Sequence, residues 1–453
     1  MNILQKIKDH LEEDPLLQRV VRNTGYLFGS NTVTMGLSML QSILAARLLG
    51  IYDFGVLGTI TVFATTLNRL FSFRMGEIII KYLGDYLAEN RLDHAATIIK
   101  TAYIVEAASS LLAYLLLVIL SPWAANQLAD NPESVTLFII YGLCILGNFG
   151  SETSLGILQI DNKFKQQANF TIIQAVLTAI IIVVAYFTGG GLMMVLLAYL
   201  AGKLVLGIGP FILAIRSTNR LLGNGWWQRA SFSLLPPRRE LQTFGLTGNL
   251  SATINLFVRD SEVLWVAFFL SPLEAGYYKV ALAIINIVLM PITPFISTTF
   301  PEITRSVSSR LWGTLRNLLK KISLLSASWT AVVTIGLLLF GPWIILIYGQ
   351  EYMPAYPALL ILMAGFGVAN IFFWNRPLLL ALGLPKIPFT ITLFAGIGKI
   401  SLAFLLVPRF GYLAEAALLS LYFIISVLLI TYIGIKKIKY YENATESLQI
   451  SPT

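Results

Sequence analysis

A few ionisable side chains lie inside or at the rims of long apolar runs. The bases are Arg47, Lys203, Arg259, Lys279 and Lys399, and the acids are Glu106, Asp260 and Glu262. A charge in hydrocarbon is expensive, so such residues are functional candidates by default. The bases outnumber the acids and sit at several depths, which suits an anionic cargo. Lys and Arg bind phosphate strongly where the dielectric is low, and Arg grips it in a bidentate fork. A path for cations calls instead for unpaired acids at its centre, and the first apolar run holds none. The acids Glu106, Asp260 and Glu262 are the groups able to titrate or to bind a cation such as sodium. Glu262 follows Arg259 by three positions, near the same helix face, so Arg259, Glu262 and Lys279 also read as a self-neutralising network. For Lys203 and Lys399 the competing reading is snorkelling towards an interface. Arg74, Arg376 and Lys386 fall at span ends and read as anchors.

No catalytic constellation accompanies these charges, so no enzyme is expected. The one cysteine, Cys144, lies in an apolar stretch, while His10 and His94 fall in polar segments. No disulfide framework, metal site or cofactor is expected.

The elements that position these charges follow from composition. The chain is 56% hydrophobic and 12% charged, with a mean hydropathy of +0.75. A soluble domain carries about 25% charged residues, so this chain is solvated mainly by lipid. The formal charge of +9 does not imply nucleic acid, because the bases are scattered between apolar runs. A span needs roughly 20 apolar residues to cross the hydrocarbon. On that basis twelve helical spans are expected, at 24–47, 54–76, 98–121, 134–159, 169–187, 191–215, 242–268, 277–300, 319–341, 356–380, 386–407 and 411–435. Most of the 32 basic residues fall in the segments on one side, among them Arg19 and Arg22, Arg238 and Arg239, and Lys436, Lys437 and Lys439. That asymmetry puts both termini in the cytoplasm. The first 20 residues are charged and no short apolar region leads to a cleavage site, so no cleaved signal peptide is expected.

The chain also repeats itself. ARLLGIYDFGVLG, from Ala46 to Gly58, returns as AFFLSPLEAGYYKVA, from Ala267 to Ala281. Ala46 falls on Ala267, Leu49 on Leu270, Asp53 on Glu274 and Gly55 on Gly276. Each copy is an elbow between two apolar runs. A repeat at half the chain length after six spans implies two parallel lobes with a cleft between them. The expected organisation is an amphipathic N-terminal segment 1–23, an N-lobe 24–215, a cytoplasmic linker 216–241, a C-lobe 242–435 and a tail 436–453. Within it, Ile3, Ile7 and Leu11 make residues 1–14 amphipathic, 77–97 reads as an interfacial helix, and Pro210, Pro291, Pro294 and Pro301 are placed to bend helices.

The two elbows, the stretch RDSEVLWVAFFLSPLEAGYYKVA and the twelve-span pattern resemble the polysaccharide-biosynthesis flippases. These belong to the superfamily of multidrug, oligosaccharidyl-lipid and polysaccharide exporters. The resemblance implies an all-α polytopic fold, two six-helix lobes forming a V-shaped cleft that opens alternately to either side. It implies translocation of a polyprenyl-diphosphate-linked oligosaccharide from the inner to the outer leaflet of the bacterial cytoplasmic membrane. It also implies a cationic cavity, which maps here onto Arg47, Lys203, Arg259, Lys279 and Lys399. Membrane lipid, a glycan polymerase and chain-length machinery are the implied partners. The alternative is a cation-coupled multidrug antiporter of the same superfamily, which would depend on acids rather than bases.

Overall fold

A computed structural model describes residues 15–72, 75–236, 253–289 and 293–450, and every element among them is helical. The expected amphipathic stretch 1–14, Arg74, Arg238, Arg239 and Pro291 lie outside the described residues. Nine of the helical stretches are long and apolar enough to cross a membrane. Large apolar side chains face outward, with Ile119 exposed by 72%, Phe187 by 81% and Phe394 by 67%. An exterior of that kind is solvated by lipid, not water. The protein is a multi-pass membrane protein.

The first of these stretches holds two of the expected spans. Helix α1 runs Pro15–Leu70, and Gly50 breaks it with φ 71° and ψ 176°. A left-handed φ costs glycine nothing, so the first elbow turns there. Residues 242–252 of the expected seventh span and 290–292 of the expected eighth lie outside the described residues, and neither span is among the nine stretches. The joined first pair and these two spans account for the difference between nine stretches and twelve expected spans.

The chain forms two compact units. Unit 1 comprises residues 1–48, 63–125 and 131–253. After α1 it contains α2 (Met75–Ala88), α3 (Leu92–Leu128), α4 (Val135–Gly147), α5 (Ser151–Ile160), α6 (Phe164–Thr188), α7 (Leu192–Leu222) and α8 (Trp226–Arg229). Helix α2 lies within the segment expected at the interface. It buries Ile78, Ile79, Tyr82, Leu83 and Tyr86 against protein, in a core shared with Ile99, Tyr103 and Trp226. Gln41 ties α1 to α6 by donating to the Ala175 carbonyl at 2.8 Å. Pro210 sits inside α7, which runs past the expected end of its span. The segment expected as a linker from 216 therefore starts as structured protein. Trp226 donates to Asn219 Oδ1 at 2.9 Å, and Lys100 donates to the Trp227 carbonyl at 3.1 Å.

Unit 2 comprises residues 49–62, 126–130 and 254–453. Its helices are α9 (Glu262–Phe269), α10 (Pro272–Leu289), α11 (Thr293–Ser308), α12 (Trp312–Leu346), α13 (Ala355–Ile371), α14 (Asn375–Ala381), α15 (Lys386–Phe410) and α16 (Tyr412–Ile450). A π turn, Leu256–Asp260, precedes α9. Pro294 and Pro301 fall within α11. Helix α16 carries the expected tail onward to Ile450, and Arg316 on α12 pairs with its Glu442 at 2.7 Å.

Candidate functional site

The π turn decides where the charges of unit 2 point. A π turn closes i→i+5 and is wider than an α turn, so it rotates the faces on either side of it apart. Ser261 completes it, donating from Oγ to the Leu256 carbonyl at 2.8 Å. Arg259 and Glu262, expected near one face, are thereby separated. The Arg259 side chain is 51% exposed and bonds Asp260 at 3.1 Å, while Glu262 is buried.

Arg259 lines a cavity of about 700 Å³ within unit 2, together with Arg376, Asn375, Thr392, Tyr422 and Ser426. Arg376 reaches it because the helix breaks between α13 and α14. Side chains from both flanks hold the break. Asn370 donates to Thr330 Oγ1 at 2.9 Å, Trp374 to Ser323 Oγ at 2.6 Å, and Asn375 to the Phe372 carbonyl at 2.7 Å. Pro377 suits the first turn of α14, where its missing N–H has no intrahelical partner to lose. The result is two guanidinium groups in one cavity whose remaining walls are mostly aromatic and aliphatic, with hydroxyls from Thr392, Tyr422 and Ser426. Two such forks can each take a phosphate in bidentate fashion.

Lys399 is not part of that lining. The sequence reading puts it in a cleft, but its side chain is 2% exposed and lies between two carboxylates. It donates to Glu262 Oε1 and, at 2.5 Å, to Glu415 Oε1. The Tyr278 hydroxyl donates to Glu262 Oε2 at 2.6 Å. Four helices, α9, α10, α15 and α16, thus meet on one buried ion cluster. Glu262 neutralises Lys399 and not Arg259, so the expected network of Arg259, Glu262 and Lys279 does not form.

Lys279 follows Tyr278 on α10 and points elsewhere. Its Nζ lies 3.8 Å from the centroid of the Phe54 ring and donates to the Phe54 carbonyl at 3.2 Å. The first elbow, residues 49–62, belongs to unit 2, so this contact is internal to it. A cation over an aromatic face is attracted by the ring quadrupole, and more so where water is scarce.

The other candidates sit in unit 1. Glu106 on α3 accepts the backbone N–H groups of Glu152 at 2.8 Å and Thr153 at 3.1 Å. Helix α5 starts after Gly150, which has no side chain to cap it. Glu106 supplies the missing cap and sets a negative charge against the positive helix end. Lys203 on α7 is half-buried, within electrostatic reach of Cys144. Arg47 is exposed on α1 just before the Gly50 break.

Of the sequence candidates, then, Arg259 lies at the cavity with Asp260 bonded to it, Glu262 and Lys399 lie in the cluster, and Lys279 at the elbow. The sequence reading misses Glu415 and Tyr278, and it takes Arg376 for an anchor. Glu415 carried a visible signal, being an acid early in the last apolar run. Arg376 carried none, because tertiary hydrogen bonds make the helix break that aims it.

A family model described as polysaccharide biosynthesis protein matches residues 20–307. The inner membrane protein YghQ of Escherichia coli strain K12 is 23% identical over 350 residues, covering 77% of this chain and 97% of that protein. Among solved structures, the lipid II flippase MurJ in an inward closed conformation superposes with a TM-score of 0.70 at 15% identity, covering 94% of this chain and 93% of that one. A multidrug resistance MATE family transporter of the MOP superfamily, in an inward-facing conformation, gives 0.67 at 13% identity, covering 91% and 96%. At such identities the likeness is one of fold.

Proposed function

Because the chain belongs to the polysaccharide biosynthesis protein family, we propose that it is a flippase for a polyprenyl-diphosphate-linked oligosaccharide. It carries the headgroup from the inner to the outer leaflet of the bacterial cytoplasmic membrane by alternating access, with both termini in the cytoplasm, and feeds the assembly of a surface polysaccharide. The observation that carries this reading is the pairing of Arg259 and Arg376 in one cavity. A diphosphate with attached sugars cannot enter hydrocarbon unaided. Its prenyl tail can stay in lipid while the anionic group moves between fixed cations. Aromatic and hydroxyl side chains beside the arginines suit sugar rings, whose faces are apolar and whose edges hydrogen-bond. The family and the MurJ fold likeness support a flippase, as does the inner-membrane designation of YghQ. A glycan polymerase and chain-length machinery would then act on the exported product. The ion gradient that drives the cycle enters through buried carboxylates.

The test is deletion of the gene followed by a leaflet-resolved assay of lipid-linked oligosaccharide. Accumulation on the inner leaflet, with loss of surface glycan, is the expected result. Complementation with wild type should restore export, and complementation with Arg259→Ala or Arg376→Ala should not. Normal surface glycan with altered dye efflux would replace this reading with a multidrug antiporter.

A further inference from the structure

The ion cluster of unit 2 is unbalanced. Lys399 brings one positive charge to two carboxylates, and Lys399, Glu262 and Glu415 are exposed by 3%, 1% and 0%. With each group in its ordinary ionised form, the cluster holds one excess negative charge in a membrane interior, where a lone charge is costly. Glu262 is bonded at both oxygens, by Lys399 and by Tyr278. Glu415 is not. Its Oε1 accepts from Lys399, and its Oε2 is buried without a hydrogen-bond partner among the described residues.

Either a metal cation or a proton would supply the missing positive charge. The geometry chooses between them. The Lys399 ammonium already stands between the two carboxylates, where a bridging cation would sit, so a sodium ion would meet an occupied position. A proton needs no such room. Other titratable groups on the helices that form or flank the cluster are engaged elsewhere. On α13, packed against α16, Tyr356 donates to the Leu338 carbonyl. On α10, Lys279 donates to the Phe54 carbonyl and Glu274 accepts from Ser271. On α16, Tyr412 donates to the Pro354 carbonyl, while Tyr422 faces the cavity.

We infer that Glu415 is a proton-binding site, kept clear of sodium by the tethered ammonium of Lys399, and that the cluster takes up one proton from water and becomes neutral. The step adds H⁺ to a carboxylate oxygen and involves no redox change. Its consequence for transport rests on the flippase reading, but the site itself does not. Tyr422 lines the cavity and lies within electrostatic reach of Arg259, Arg376 and Lys399. Cavity and cluster therefore share a neighbour. Protonating Glu415 removes a negative charge from the cluster that shares this neighbour with the cavity, so an anion there binds more tightly, and by linkage a bound anion raises the proton affinity by the same factor.

Infrared difference spectra of the full chain in lipid nanodiscs, taken across a pH series in sodium and in potassium buffers, test this without any substrate. The expected result is a carboxylic-acid band that grows as pH falls, with the same midpoint in both salts. It should vanish in Glu415→Gln. It should vanish also in Glu262→Gln, which leaves Lys399 and Glu415 paired one to one. Tyr278→Phe should leave the frequency unchanged, because the proton is on Glu415 and not on Glu262. No titrating band, a midpoint shifted tenfold or more in proton concentration by sodium, or a band that survives either glutamine variant would overturn the proposal. If one glutamine variant does not fold, the other and the wild-type salt comparison decide it. Failure of the flippase reading would leave these spectra unchanged, so the two ideas fall separately.

Discussion

Gly55 and Gly276, equivalent positions of the internal repeat, meet inside unit 2. The Gly276 nitrogen stands 3.0 Å from where a Cβ on Gly55 would lie, and the Ile51 carbonyl oxygen 2.5 Å from where one on Gly276 would lie. Three residues further on, Gly58 and Lys279 face each other in the same way, with Lys279 Cδ 2.7 Å from a Cβ position on Gly58. The repeat is thus more than a record of duplication. Its two copies pack on each other through corresponding residues, and small side chains let the backbones approach, as they do between membrane helices. Gly58 opens the channel along which Lys279 reaches Phe54.

That contact predicts a sharp size limit. A side chain at Gly55 would run into the Pro272 carbonyl, which is backbone and cannot rotate away. Gly55→Val and Gly276→Val should each destabilise the protein by about 3 kcal/mol or more, at or beyond the usual cost of overpacking. Gly84 on α2 has nothing within 4 Å of its Cβ position. Gly84→Ala should be neutral or stabilise by up to about 1 kcal/mol, through helix propensity. Thermal unfolding in detergent, read by fluorescence size-exclusion, separates the two outcomes.

The cavity predicts that charge, and not only shape, carries the cargo. Arg259→Ala and Arg376→Ala should each lower glycan export at least tenfold while leaving melting temperature within a few degrees, since both side chains are exposed. Arg→Lys at either site keeps the charge but loses the bidentate fork, so export should fall by an intermediate amount. Inner-leaflet accumulation of lipid-linked oligosaccharide in complemented deletion strains measures both. Equal export by all four variants would remove the cavity from the pathway.

What the sequence made legible follows from what leaves a mark in composition. Apolar length marks spans, and the elbows are marked because Gly, an acid and Leu recur at fixed offsets. The π turn before α9 leaves no mark, because one wider turn changes no residue type. It nevertheless separates Arg259 from Glu262, and so overturns their expected pairing. Lys399 was legible as a buried base, but its partners Glu262 and Glu415 lie on other helices, and no spacing rule relates them. Arg376 looked like an anchor because the break that turns it inward is built by Asn370, Trp374 and Asn375 acting on distant or backbone groups.

Glu106 offers a test of a helix end capped from another helix. Replacing it with Ala leaves the Glu152 and Thr153 N–H groups at the start of α5 without their acceptor. A lost cap costs about 0.5–2 kcal/mol, and a buried donor left unsatisfied costs about 1–3 kcal/mol. Glu106→Ala should therefore lower the melting temperature clearly. Glu106→Gln keeps one acceptor oxygen and should lose less. Equal stability of the two variants would argue that the carboxylate does not hold α5.

Lys399 predicts the largest single loss. A Lys399 that lined a cationic cleft would, when replaced by Ala, impair export without affecting expression. The structure changes that expectation, because the substitution leaves Glu262 and Glu415 side by side in the interior with no cation. Breaking a buried ion pair by removing one partner costs about 3–5 kcal/mol, so the variant should express poorly or melt far below wild type. Replacing a whole buried cluster with well-packed hydrophobic residues of similar volume is often neutral or stabilising. The triple variant Lys399→Met, Glu262→Met, Glu415→Met should accordingly regain expression and a melting temperature close to those of wild type. If the cluster couples export to a proton gradient, the regained protein should still export nothing, or should export at a rate that no longer responds to collapse of that gradient by an uncoupler. A triple variant that exports like wild type, uncoupler sensitivity included, would reduce the cluster to a packing device.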